Sequence, residues 1–151
     1  MTTVANILGL DLGTKTGWAT ESESGVSEFR IERGESAGMR FLNFRAWIAG
    51  MLDKIMPSLV AYEMPHMRGG AATEVLVGMQ TRVMEECAAR GIEYTSVHTA
   101  TLKKWATGDG RADKNAMIEA AERGARRKMQ DDNEADAYLV MLWARKFKAT
   151  P

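Results

Sequence analysis

Two acidic side chains stand at the ends of apolar stretches whose composition predicts buried β-strands. Asp11 follows residues 7–10 (ILGL), and Glu63 follows residues 59–62 (LVAY). A carboxylate at the end of a buried strand is costly unless a basic side chain or a metal ion compensates its charge. If the two strands are parallel neighbours, both acids emerge at the same edge of the sheet, where open α/β sheets bind their ligands.

Further acids lie at the start of the last predicted helix, which covers residues 131–147. Within residues 135–144, Asp136 is the only one that is neither apolar nor aromatic. A helix that is apolar on nearly every side is buried on several sides, so an acid in its first turns is conspicuous. Asp132 lies four residues earlier on the same helical face, and Asn133 lies close to the same line.

These side chains together predict a metal centre. The set consists of residues expected to converge from two strand ends and one helix, namely Asp11, Glu63, Asp136 and either Asp132 or Asn133. Carboxylates held together repel one another unless cations lie between them, and hard oxygen ligands favour Mg²⁺ or Mn²⁺. Two such ions about 4 Å apart activate a water on one side of a phosphodiester and stabilise the leaving oxygen on the other. The chemistry indicated is that of a nuclease.

The hydrophobic periodicity predicts the elements that position these acids. Three strands joined by turns predict an antiparallel meander, and the later alternation of helices and strands predicts parallel pairing. The expected fold class is therefore α/β, with a five-stranded mixed sheet, three strands antiparallel and then two parallel, flanked by helices. The predicted strands cover residues 4–11, 17–21, 26–31, 59–62 and 92–97, and the predicted helices cover residues 36–56, 71–90, 99–105, 113–123 and 131–147.

Local signals refine the helix ends. Asp113 is predicted to cap the fourth helix, and Gly124 is predicted to end it. Asp131 and Glu134 match a capping box, so Asp131 is interpreted as a helix cap and not as a metal ligand. The basic run at residues 126–128 is interpreted as a solvated connector.

Composition and charge set the class of protein. The length of 151 residues predicts one domain, 1–151, and no apolar run is long enough for a membrane span. We see no secretory signal, and the single cysteine, Cys87, is predicted to be a buried small hydrophobe in a reducing cytoplasm. The formal net charge is zero, yet residues 102–128 carry eight basic and four acidic side chains. Such a local excess can face phosphate groups.

The motifs and their order resemble the RNase H-like superfamily and, most closely, the RuvC-type Holliday junction resolvases. The matching segments are residues 9–13 (GLDLG), 62–63 (YE), 102–114 and 132–137 (DNEADA), and the resemblance spans roughly residues 7–143. Residues 132–137 resemble the corresponding segment of phage-borne members of this family. Such an origin would place the protein in the cytoplasm of a bacterial host. The family implies a homodimer that binds branched DNA, a four-way junction, and nicks two opposed strands to leave 5′-phosphate ends.

Carried over by position, the resemblance implies that Asp11, Glu63 and Asp136 bind two Mg²⁺ ions, for which Mn²⁺ would substitute. The family usually has an acid or a histidine three residues before the final Asp, where this chain has Asn133. A neutral amide oxygen can ligate magnesium but adds no charge. Either Asn133 binds weakly or Asp132 replaces it, and Asp132 is the favoured fourth ligand and catalytic acid.

The same resemblance implies a set of DNA contacts. Basic side chains are expected near the scissile phosphate, where an ammonium group stabilises developing charge, and Lys114 is counted among the catalytic residues. An apolar side chain in the loop after Glu63 is expected to wedge between bases. The expected DNA-binding residues are Lys15, Met67, Arg68, Lys103, Lys104, Arg111 and Lys114.

Three other functions stay open. A broader nuclease for branched DNA or RNA/DNA hybrids would use the same acids. A non-catalytic junction-binding dimer would keep the fold without a complete ligand set, which Asn133 motivates. Residues 9–17 also resemble the phosphate-binding first hairpin of actin-like ATPases and sugar kinases, but those proteins need two such domains and this chain has the length of one.

Overall fold

Five strands form one mixed sheet with helices on both faces, in a computed structural model that describes residues 6–149. The strands are β1 (Ile7–Asp11), β2 (Lys15–Ala19), β3 (Ser24–Glu28), β4 (Leu59–Met64) and β5 (Glu93–His98). The helices are α1 (Gly38–Ile55), α2 (Gly70–Ala89), α3 (Thr99–Thr107), α4 (Lys114–Ala125) and α5 (Asp132–Phe147). Within this described part, no helix has the length and apolar character needed to cross a membrane.

The strand order is β3-β2-β1-β4-β5. β1 pairs antiparallel with β2, and β2 pairs antiparallel with β3. β4 lies parallel to β1 on one side and to β5 on the other. The predicted fold class, with three antiparallel strands followed by two parallel ones, is confirmed.

Several strand boundaries differ from the prediction, and those of β2 and β3 differ most. β2 begins at Lys15 and β3 at Ser24, each two residues earlier than expected. Gly17 was predicted to begin the second strand, whereas it lies in the middle of β2 and pairs with Val26 of β3. Residues 4 and 5, which were predicted to begin the first strand, lie outside the described residues.

The helix ends show one correct and one wrong prediction. Asp113 caps α4, and its side chain accepts a hydrogen bond of 2.8 Å from the Ala116 backbone N–H. Gly124 does not end this helix, which continues to Ala125 and terminates at Arg126 in a left-handed conformation with φ of 58°. Gly124 instead lies against α5, since a Cβ there would be 3.4 Å from Leu142. Gly124 is therefore an interior helix residue and not a cap.

A buried apolar layer lies on each face of the sheet. α1 and α2 cover one face, where Phe44 and Met79 pack with Leu8 and Leu10 of β1. The helices α3, α4 and α5 cover the other face. Cys87 is fully buried in the first layer, as predicted.

α5 packs directly on the sheet because two strand glycines face it. A Cβ on Gly9 of β1 would lie 2.3 Å from the backbone oxygen of Ala137. A Cβ on Gly17 of β2 would lie 1.9 Å from the backbone oxygen of Asn133. Real Cβ atoms do not approach backbone this closely, so any other residue at either position would push α5 away from the sheet.

We expect Gly9→Ala to lower the free energy of unfolding by about 1–3 kcal/mol or more, because overpacking a rigid contact costs that much. Urea denaturation followed by circular dichroism measures the change. Gly50→Ala is the matched control, since Gly50 lies in α1 with open space around its Cβ position. That substitution should be neutral or stabilising, by up to about 1 kcal/mol. Equal effects of the two substitutions would contradict the packing argument.

Candidate metal centre and nucleic-acid interface

Three carboxylates from three different elements meet at one edge of the sheet. Asp11 is the last residue of β1 and Glu63 lies near the end of β4, and the parallel register that pairs Leu10 with Tyr62 brings these strand ends together. Asp136 comes from the first turns of α5, which lies across β1. Each of the three acids offers an oxygen, and these oxygens all lie within 4.8 Å of one another.

The close approach of these acids disfavours their charged forms. Burial raises the pKa of Asp11 well above its ordinary value, and the negative charges of Glu63 and Asp136 raise it further. For Asp136, burial and then the charge of Glu63 raise the pKa to about 8. Burial also raises the pKa of Glu63, while the nearby Thr99 hydroxyl and the Lys103 ammonium act in the opposite direction. The cluster is therefore short of positive charge.

The donor set fits a divalent cation. Within residues 6–149, the Oδ1 atom of Asp136 is buried and has no hydrogen-bond partner. A buried carboxylate oxygen without a partner is costly, and a cation bound between the three acids would satisfy it and remove their repulsion. Clustered carboxylate oxygens are hard ligands of the kind that Mg²⁺ and Mn²⁺ take.

The two candidates for a fourth ligand differ in their surroundings. Asp132 is the first residue of α5, and its charge raises the pKa of Asp11, Glu63 and Asp136. The Asp132 oxygens do not belong to the set of oxygens from Asp11, Glu63 and Asp136 that lie within 4.8 Å of one another. One Asp132 oxygen lies 3.8 Å from the Lys114 ammonium. The Asn133 amide donates instead to Asp131, over 3.3 Å. Asp132 thus contributes charge to the cluster, and its role as a ligand stays a prediction.

The predicted basic residues divide between two surfaces. The Lys103 ammonium acts on both Glu63 and Asp136, whose pKa values it lowers. Lys104, the next residue of α3, lines a separate hollow beside Trp105. Adjacent residues of a helix point about 100° apart, so one lysine faces the acids and the other does not.

An open groove of about 920 Å³ lies beside the acid cluster, between the loop after β4, the start of α3 and the loop before α4. Its lining includes four residues predicted to contact DNA, namely Met67, Arg68, Lys103 and Arg111. Lys15 is exposed at the start of β2, and Lys114 at the start of α4.

The groove also contains residues for which the sequence predicted no role. Among them are His66, His98 and Thr99. Thr99 directly follows β5, which lies parallel to β4, so it occupies the same edge of the sheet as Glu63. The rule that residues at the ends of parallel strands line a binding site could therefore have identified Thr99 as well as the acids.

A buried polar network holds the start of α5 against β3. The Ser24 hydroxyl donates to the Glu134 carboxylate over 2.6 Å, and Arg127 donates to the same hydroxyl. Glu134 also accepts from the Gln130 backbone N–H, and Asp131 caps α5 by accepting from the Glu134 backbone N–H over 2.9 Å. Asp131 is therefore a cap as predicted. The interpretation of residues 126–128 as a solvated connector is wrong for Arg127, which is half-buried in this network.

Comparison with solved structures identifies the fold. A structure of Thermus thermophilus RuvC has a TM-score of 0.74 and 19% identity over 90% of this chain and 90% of that one. A T. thermophilus RuvC in complex with Holliday junction substrate has a TM-score of 0.78 and 18% identity, over 94% and 96% of the two chains. The yeast mitochondrial Holliday junction resolvase Ydc2 has a TM-score of 0.65 and 14% identity, over 96% and 80%. No protein-family model and no curated protein sequence matches the chain.

These likenesses confirm the predicted RNase H-like α/β fold. The identities are too low to transfer function by themselves. Function therefore has to be argued from the acid cluster and the groove beside it.

We expect the metal-free protein to lose stability as pH rises from about 4 to 8, and Asp136→Asn to reduce this loss. Asp136 keeps its proton in the folded state up to a pKa of about 8, but releases it near its ordinary value of 3.8 when unfolded. The folded state thus binds the extra proton in this window, so its stability falls by up to about 1.4 kcal/mol per pH unit. Urea unfolding in EDTA at pH 5 and pH 8 measures the effect.

The control for this prediction is Asp53→Asn on α1. Arg90 lowers the pKa of Asp53, so its carboxylate stabilises the fold above its ordinary pKa and the substitution should lose a little stability at pH 8. Asp136→Asn should instead be more stable than the wild type at pH 8 and close to it at pH 5. Parallel pH profiles of the wild type and Asp136→Asn would contradict the raised pKa.

Proposed function

We propose that this chain is a Mg²⁺-dependent DNA endonuclease that resolves four-way junctions by paired nicks. The observation that carries the proposal is the convergence of Asp11, Glu63 and Asp136, whose oxygens lie within 4.8 Å of one another. The fold supports it, because the chain covers most of RuvC from T. thermophilus, one structure of which holds a Holliday junction substrate. The groove beside the acids supplies a surface on which a DNA strand can lie.

Asp11, Glu63 and Asp136 would hold two Mg²⁺ ions, with Asp132 as the favoured fourth ligand and Asn133 as its alternative. When bound, these ions would supply an activated water and charge stabilisation at the leaving oxygen, and Mn²⁺ would substitute for them. The reaction is hydrolysis. The water oxygen forms a bond to phosphorus and the bond to the 3′ oxygen breaks, which leaves a 3′-hydroxyl and a 5′-phosphate.

Two lysines are placed to act on the phosphate. Lys103 lies close enough to Glu63 and Asp136 to lower their pKa values, so its ammonium would also reach a phosphate held there. Lys114 lies 3.8 Å from Asp132, and its side chain is 81% exposed. An ammonium held so loosely can turn to the phosphate and stabilise the charge that develops during hydrolysis.

The remaining contacts would orient the junction. Arg68 and Arg111 face the groove and Lys15 is exposed at the start of β2, so all three are placed to contact backbone phosphates. Met67 lines the groove within the loop after β4, where an apolar side chain can insert at an unstacked base step. These roles depend on the junction approaching from the groove side.

Paired nicks require two copies of the site. The described part of the chain contains one cluster of acids that could hold a metal ion. Two opposed strands of a junction are far apart, so two chains must act on them together. The proposal therefore includes a homodimer.

Asp11→Asn should slow cleavage of a synthetic four-way junction at least about a thousandfold, equivalent to about 4 kcal/mol of activation free energy. The substitution removes a metal ligand and no phosphate contact, so junction binding should persist. A gel assay in Mg²⁺ measures cleavage, and fluorescence anisotropy in Ca²⁺ measures binding. Asp53→Asn, on the exposed surface of α1, is the control and should cut at the wild-type rate.

The same assay decides between the functions considered. Full activity of Asp11→Asn would contradict the assignment of the acid cluster. Wild-type protein that binds junctions but cuts none in Mg²⁺ or Mn²⁺ would be a non-catalytic binding dimer. Flaps or RNA/DNA hybrids cut as fast as junctions would indicate the broader nuclease.

Replacing Lys103 and Lys104 with alanine should weaken junction binding and flatten its salt dependence. Each lost contact to a duplex phosphate lowers the slope of log affinity against log salt concentration by about 0.9. Anisotropy titrations at several salt concentrations measure this slope. Lys54→Ala, at the end of α1, is the control. A slope equal to that of the wild type would count against a basic DNA-binding face.

A further inference from the structure

Exposed aromatic rings cluster on the surface formed by α3 and the end of α5. The side chain of Trp105 is 36% exposed and that of Phe147 is 52% exposed. Their ring centroids lie 6.1 Å apart, and the buried ring of Trp143 lies 5.8 Å from that of Phe147. We call these three rings the aromatic patch. Clustered exposed rings are a costly surface unless a partner covers them.

The surface around the aromatic patch is basic. α3 carries two lysines and no acid, and residues 144–149 carry Arg145, Lys146 and Lys148 without an acid. The Lys148 ammonium lies 5.7 Å from the centroid of the Trp143 ring. Arg145 pairs with Glu21 over 2.7 Å. Aromatic rings with surrounding cations match a polyanion that also presents flat apolar groups, which is the chemistry of nucleic acid.

Three neighbouring hollows that share lining residues lie between the groove beside the acid cluster and the aromatic patch. The groove beside the acids shares Ala100 and Gly110 with a second hollow, which Lys104 and Trp105 also line. A third hollow begins at Trp105 and continues along the end of α5. The seven residues of α3 from Thr99 to Trp105 span about 9 Å, because a helix rises about 1.5 Å per residue. This is the length of two or three stacked nucleotides at about 3.4 Å each.

We propose that these three hollows form a track for unpaired nucleotides that runs from the acid cluster to the aromatic patch. Trp105 stacks on a base and Lys104 contacts a phosphate. The occupant is a single strand and not a duplex, because a ring can stack on the face of a base only where that base is unstacked from its neighbour. The inference rests on the proposed nuclease function and adds a binding site to it, one that would favour branched DNA with a single-stranded arm.

The experiment measures binding of a fluorescein-labelled thymidine oligomer of about 12 nucleotides, a length within the range bound by single-strand sites. Asp11→Asn is the background, so that no cleavage occurs. Adding Trp105→Ala should weaken binding about tenfold, since one base-aromatic stack is worth that much. Trp105→Phe should keep most of the affinity. Tyr94→Ala is the matched control, because Tyr94 is an exposed ring on β5, outside the three hollows.

A charge variant keeps the test decisive if Trp105→Ala fails to fold. Lys104→Glu, at an exposed position, should weaken oligomer binding and lower the salt slope by about 0.7 for one lost single-strand phosphate contact. Unchanged oligomer affinity in both variants would overturn the track. A change of oligomeric state in Trp105→Ala, with oligomer affinity unchanged, would also overturn it and would show that a second copy of the chain covers the aromatic patch.

The failure of this inference is distinguishable from failure of the proposed function. If junction cleavage depends on Asp11 but oligomer binding is indifferent to Trp105 and Lys104, the track is wrong and the nuclease stands. If the wild type cuts no branched substrate and binds no oligomer, both fail.

Discussion

The close contact between α5 and the sheet is the constraint on which the site depends. Gly9 and Gly17 leave no side chain between the strands and the helix backbone, so the helix lies directly on β1 and β2. Asp136 is thereby brought beside Asp11, and the parallel pairing of β1 with β4 adds Glu63. The network of Ser24, Glu134 and Arg127 then holds the first turn of α5. Backbone packing and this network together hold the three acids close to one another.

Holding these acids together lowers the stability of the metal-free fold and creates a site that can bind a cation. Three carboxylates share a partly buried space where burial raises the pKa values of all of them, and the charges of neighbouring acids raise those of Asp11 and Asp136 further. The charge of Lys103 lowers the pKa values of Glu63 and Asp136, and the Thr99 hydroxyl and a hydrogen bond with Asp11 lower that of Glu63, but burial outweighs them, so the cluster favours any cation that can enter. Strongly perturbed acids at the edge of a sheet, beside an open groove, are typical of a functional site.

The fold and the three central acids could be predicted because strands that end on a carboxylate, and an otherwise apolar helix with one acid, are local patterns. The role of Gly17 could not, since a glycine in a turn-rich stretch looks like a turn until the helix above it is known. Gly124 was taken for a helix end for the same reason. Arg127 was assigned to solvent because its partners, Ser24 and Tyr138, lie on other elements. The side of α3 that faces the acids could not be predicted either, because it depends on how that helix packs on the rest of the fold.

The most direct measurement of the central claim is anomalous X-ray diffraction from crystals soaked in Mn²⁺. We expect a manganese peak between the carboxylates of Asp11, Glu63 and Asp136, lost in crystals of Asp11→Asn. A further peak next to Asp132 or Asn133 would show which of them is the fourth ligand. Crystals with manganese bound elsewhere and none between the three acids would contradict a metal site at this cluster.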